Sequence, residues 1–146
     1  FHHLIINSNS EILLQKRSAK NNVSPNFWTI SASGHVQSDQ SLKDAVVSEA
    51  DEELGLKINP SDLEKLTVYS KSKYYPKKDI QDNEFNPIFI LKKDIELKDL
   101  NPNHEVAKIK FITPKKLKSL ISKDKIKFKP DRKKYHKIFF DYFGLN

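Results

Sequence analysis

The run Gly34-His35-Val36-Gln37-Ser38-Asp39-Gln40-Ser41-Leu42-Lys43-Asp44-Ala45-Val46-Val47-Ser48-Glu49-Ala50-Asp51-Glu52-Glu53-Leu54-Gly55-Leu56 sets two of the chain's three glycines around one acidic, periodic segment. Within it Leu42, Ala45, Val46, Ala50 and Leu54 recur at helical spacing. That spacing predicts a helix over 41–54, with Gly55 at the C-terminal cap, where a residue without a Cβ turns left-handed at no steric cost. Residues three and four apart share a helix face, so Glu49, Glu52 and Glu53 are expected to project together beside a stripe of Leu42, Val46, Ala50 and Leu54. Like charges at that spacing repel by roughly 0.2–0.5 kcal/mol per pair, and acids in the last turn also face the negative end of the helix dipole. A solvated surface face tolerates this. A hard cation reverses it: magnesium prefers carboxylate oxygens, keeps several waters and is shared with substrate phosphates.

The flanks read as strands. Leu4-Ile5-Ile6 and Ile12-Leu13-Leu14 enclose the polar turn Asn7 to Ser10 and predict a hairpin. Phe27-Trp28-Thr29-Ile30 predicts a strand running to Ser33-Gly34, its aromatic residues belonging to the core rather than to a base-stacking platform. Beyond the helix, 66–75 and 85–91 predict two strands separated by a charged turn over 76–83, and 105–112 predicts another. Thr113-Pro114 opens a short helix, since proline is tolerated in a first turn, and Tyr135, Ile138, Phe139 and Tyr142 mark an amphipathic helix over 132–143. Strands, helix, strands and helices in that order give an α+β class.

Length and composition bound the rest. At 146 residues and 17.0 kDa the chain matches one domain, 1–146, with no linker or repeat to divide it. It begins at Phe1 rather than Met and carries no segment in signal-peptide order, so it reads as a trimmed chain. No apolar run approaches the roughly 18 residues of a membrane-spanning helix, and the expected setting is cytoplasmic. The absence of cysteine excludes disulfides, a thiolate nucleophile and cysteine zinc sites. A net charge of +7, almost all from lysine, favours anionic partners. Because the lysines read as spread along the chain, the expected partner is a phosphorylated small molecule rather than nucleic acid. Nothing in the sequence speaks to oligomeric state.

The loop-helix-loop unit resembles the Nudix box, the signature of hydrolases acting on nucleoside diphosphates linked to other moieties. The family pattern is G-x5-E-x7-R-E-U-x-E-E-x-G-U, where U is a bulky aliphatic residue. Gly34, Glu49, Ala50, Glu52, Glu53, Gly55 and Leu56 fall on it without a gap, over 23 residues, while the early Glu is Gln40 and the Arg is Ser48. The resemblance implies a Nudix-like α/β/α sandwich with a mixed β-sheet, magnesium or manganese held by Glu49, Glu52 and Glu53, and hydrolysis at a diphosphate bridge. The missing Glu and Arg usually orient the carboxylates, which leaves that cluster less supported here.

Leu14-Gln15-Lys16-Arg17-Ser18, Phe27-Trp28-Thr29, Ser33-Gly34-His35, Asp82-Asn83-Glu84 and Glu105-Val106 are further similar to the subgroup around isopentenyl-diphosphate isomerase. Those isomerases need a cysteine where this chain has Ser33, and a serine of ordinary acidity exchanges protons with an alkene poorly, so hydrolysis is the expected reaction. On this reading Glu52, Glu53 and Glu84 are the catalytic candidates, one of them taking the proton from water, and Arg17, with Lys20 beside it, is expected to hold substrate phosphate. A planar guanidinium suits phosphate oxygens. His35 matches a metal-ligating histidine of the isomerases.

Overall fold

The computed structural model describes residues 1–146, and its elements follow the predicted order. They are β1 (His2–Ile6), β2 (Ile12–Arg17), β3 (Trp28–Ile30), β4 (Ala32–Ser33), α1 (Leu42–Leu54), β5 (Glu64–Tyr75), β6 (Ile80–Lys92), β7 (Val106–Ile112), α2 (Pro114–Ser122), β8 (Phe128–Lys129) and α3 (Lys133–Tyr142). One mixed sheet runs in the order β5-β6-β1-β2-β3-β8, with β4 added to β1 and β7 to β2. The β1–β6 and β3–β8 pairs are parallel and the others antiparallel. This is the expected α+β sandwich.

Alternation along the strands divides the core. Leu4, Ile6, Ile12 and Leu14 pack on one face with Leu117 of α2 and Tyr135, Phe139 and Phe140 of α3. Ile5, Leu13, Phe89 and Leu91 pack on the other with Ala45, Val46, Ala50 and Leu54 of α1. A slip of one residue in β1 or β2 would exchange the two sets, so the register is fixed by burial on both faces.

The ends of α1 are set by local chemistry. The Ser41 hydroxyl accepts from the Asp44 amide at 3.2 Å. Gly55 takes φ 65°, its N–H donating to the Asp51 carbonyl and that of Leu56 to the Ala50 carbonyl, the double bond of a left-handed cap. Leu42, expected on the apolar stripe, is exposed instead. The turn expected over 76–83 shrinks to Pro76–Asp79, and β5 and β6 pair all the way to Tyr75 and Ile80. No helix is long and apolar enough to cross a membrane.

His3 is fully buried in the middle of this sheet with neither ring nitrogen partnered. Burial lowers its pKa to about 4, against an ordinary value near 6.5. Between those values the unfolded chain takes up a proton that the folded chain refuses, so stability falls as pH drops through that window. We expect His3→Leu to raise the Tm and to flatten its pH dependence between pH 6.5 and 4, with a gain on the order of 2 kcal/mol at the acid end. Thermal melts of both proteins across that range check it, and a parallel acid slope in the variant would refute it.

Candidate functional site

The helix, the β4 end and the loop before β7 meet in a cleft of about 690 Å³. Its carboxylates are Glu49, Glu53, Glu84 and Glu105, and its basic side chains include Arg17, His2, His35 and Lys129. A larger hollow of about 830 Å³ at the β1–β2 turn has Asp94 as its sole carboxylate, and that group is already occupied by the Ser8 amide at 2.7 Å. The smaller cleft is therefore the candidate site.

Glu49 and Glu53, one turn apart on α1, form its acidic floor. Glu53 is buried and accepts a hydrogen bond from the Gln15 amide of β2 at 2.6 Å. Burial, together with the neighbouring Glu49 carboxyl, pushes the Glu53 carboxyl far above the usual range, and burial raises Glu49 as well. Two adjacent carboxyl groups so poorly supplied with positive charge are poised for a cation. No set of three or more His, Asp or Glu side chains is gathered tightly enough to enclose a metal. Magnesium does not need such a cage, since it is commonly bound through one or two carboxylates together with substrate phosphates and water, and the Glu49–Glu53 pair fits that requirement.

Gly34 is what lets the strand end pass over this pair. A Cβ built there would lie 2.9 Å from the Glu49 Cδ and 3.2 Å from the Phe1 ring. The segment after β6 also serves the site. The Asn101 and Asn103 amides donate to the Leu54 and Glu53 carbonyls at 2.8 and 3.0 Å, satisfying the open end of α1 and carrying Glu105 to the cleft.

The other expected residues divide. Glu52 is exposed and does not line the cleft, although its charge is felt at Glu49. Glu84 does line it, held by an ion pair with Lys71 and a 3.3 Å bond from Asn86; the Lys71 partner lowers its pKa. Arg17 lines the cleft with its Nε donating to the Val23 carbonyl at 2.8 Å, whereas Lys20 is exposed and outside the lining. His35 is exposed at the rim. Gln15 and Lys129 had no local signal, since sheet pairing brings them in from distant segments. The same holds for Lys71, whose partnership depends on the β5–β6 register.

The two departures from the family pattern face each other. The Gln40 amide reaches the Ser48 hydroxyl at 3.3 Å, so a neutral hydrogen bond joins the positions where the pattern has Glu and Arg. We expect Gln40→Glu with Ser48→Arg to install an ion pair beside Glu49 and raise turnover about tenfold. Initial rates of the double variant test this, and each single change, which leaves one unpaired charge, should gain nothing.

A family model for the NUDIX domain matches residues 1–136. This chain belongs to the Nudix family. It is 32% identical over 122 residues to an uncharacterised Nudix hydrolase of Listeria innocua, which covers 83% of this chain and 66% of that protein. It is also 31% identical over 130 residues to the isopentenyl-diphosphate Δ-isomerase of Brevibacterium linens, covering 86% of this chain and 67% of the isomerase. The chain thus spans about two thirds of the length of these Nudix relatives. Among solved structures, a bifunctional NMN adenylyltransferase/ADP-ribose pyrophosphatase of Francisella tularensis, complexed with AMP and a manganese ion, superposes with a TM-score of 0.63 at 20% identity. That match covers 99% of this chain and 41% of the Francisella protein, and at such identity it speaks to the Nudix fold alone.

Proposed function

We propose that this Nudix domain is a magnesium- or manganese-dependent hydrolase that cleaves the diphosphate linkage of a nucleoside diphosphate derivative or a related phosphorylated metabolite. The observation that carries this reading is the carboxyl pair of buried Glu53 and half-buried Glu49, in the same cleft as Arg17 and Lys129. Glu49 and Glu53 would hold the divalent ion, with Glu52 adding negative charge at the rim. Bound there, the ion would neutralise developing phosphate charge and acidify a water. Arg17 binds phosphate through its guanidinium, and Lys129 adds a second positive charge on the same wall. Glu84, kept ionised by Lys71, accepts the proton that the attacking water loses.

A binding module without turnover is the second reading, favoured by the neutral Gln40–Ser48 pair. ADP-ribose, nucleoside diphosphate sugars and isoprenoid diphosphates, each incubated with magnesium and with chelator, separate the readings. Metal-dependent release of monophosphate or phosphate supports hydrolysis. Ligand-induced thermal stabilisation with no product would replace it by pure binding, and double-bond migration without release would replace it by isomerisation.

A further inference from the structure

The positive charge is not spread along the chain. Residues 106–137 contain thirteen lysines and arginines against two aspartates, a net +11, so the remaining 114 residues together carry −4 of the overall +7. This stretch builds β7, α2, β8 and the start of α3, and it lies largely on the sheet face opposite Glu53. Alternation along β2 makes the separation explicit. Gln15 turns toward Glu53, while Lys16 turns to the other face with Ile12 and Leu14.

There Lys16, Lys110, Lys125 and Lys127 line a hollow of about 350 Å³ together with Trp28 and Asn26. No carboxylate lines it. None of the four lysines makes an ion pair or donates a side-chain hydrogen bond, although six other lysines of the chain are ion-paired. Lys16 and Lys110 are half-buried, and the Lys110 ammonium sits 4.1 Å from the centre of the Trp28 ring. The two half-buried ammonium groups lack a counter-charge, which an anion in the hollow would supply.

We propose that this hollow binds the sugar-phosphate backbone of single-stranded nucleic acid, at a site separate from the hydrolytic cleft. Three features select that ligand. The lining gathers four lysine ammoniums, point charges that bind phosphate oxygens. The hollow is recessed and takes about one nucleotide unit, whereas a bilayer needs a flat or projecting basic face. Finally, exposed Lys108, Lys123 and Lys116 continue the positive charge beyond the hollow, which suits a strand longer than one unit. Binding would be tolerant of base sequence, because backbone phosphates carry no sequence information.

Trp28 is the only tryptophan, so its fluorescence reports this hollow directly. The test titrates the full chain with a twelve-residue oligouridine RNA lacking terminal phosphates, in chelator, at several salt concentrations. Saturable quenching is expected, with a log-log salt slope of about −2 to −3, as four displaced counterions on a single strand give. Lys16→Gln with Lys110→Gln should weaken binding at least tenfold while leaving the Tm and diphosphate hydrolysis unchanged, and Glu53→Gln should bind as the wild type does. Quenching that is absent at low salt, insensitive to salt or unaltered in the lysine double variant would overturn the proposal. Uridine monophosphate binding as tightly as the oligomer would also overturn it, as would anionic phosphatidylserine vesicles quenching where RNA does not. Loss of hydrolysis in the cleft leaves the site unaffected, so the two readings fail separately.

Discussion

Glu53→Gln is expected to lower turnover by on the order of 10³-fold and, in the metal-free protein, to raise stability. The two effects have one origin. Glu53 is buried beside a second carboxyl group, with a single amide donor, Gln15, to support it. Holding a cation, as proposed, requires its ionised form, while folding alone favours the protonated form, whose pKa stands far above an unfolded value near 4.5. From the unfolded value up to the folded one, the unfolded chain has lost a proton that the folded chain keeps. Stability of the metal-free wild type therefore declines as pH rises across that window. Glutamine keeps the Gln15 bond through its carbonyl oxygen and removes the titration, a gain on the order of 2 kcal/mol at pH 8 and roughly 5 °C in Tm. Magnesium should close the gap by stabilising the wild type alone. Melts at pH 5 and pH 8, with and without metal, give four numbers for each protein. A Glu53→Gln variant less stable than the wild type at pH 8 without metal would mean that the carboxyl group is satisfied by something other than a cation.

Glu84→Gln is expected to cost about 10² in kcat, with KM little changed, if the group moves a proton, as proposed, rather than holding the ligand. Its dependence on Lys71 supplies the sharper test. The ion pair holds the Glu84 carboxyl below its ordinary range, so the base is ionised well under neutral pH. Removing the ammonium by Lys71→Gln lets the pKa rise, and the acid limb of the kcat profile should move to higher pH. A merely structural role for the pair would change rates evenly and leave the limb in place. If Glu84→Gln stays within about twofold of the wild type, the proton acceptor is another cleft carboxylate, and Glu105 is next in line.

What could be read from the sequence was local. α1, its Ser41 cap and its Gly55 stop follow from spacing within one segment, and the Glu49–Glu53 pairing follows from helix periodicity. Convergence of all three box carboxylates was an overreading. Glu49 and Glu53 are four apart and line one wall, but Glu52 is rotated by a helix step toward solvent. Arg17 and Glu84, on other segments, came through the family resemblance and do line the cleft, but the contacts between segments were not legible. Gln15 meets Glu53 across 38 positions of sequence, and Lys71 meets Glu84 only because β5 and β6 pair in that register. The β8 strand is two residues long, too short for a periodic signal, yet it brings Lys129 to the cleft. Charge was misread for a different reason: totals over the whole chain average a basic layer against a mildly acidic remainder.

The clearance above Gly34 turns the backbone at this point into a gauge. Adding one methyl group would act as a wedge against the tip of the Glu49 side chain, which is flexible, and the edge of the Phe1 ring, which is packed in the core. An alanine there would thus displace the Glu49 carboxylate from its place beside Glu53, a fault that an assay of turnover detects.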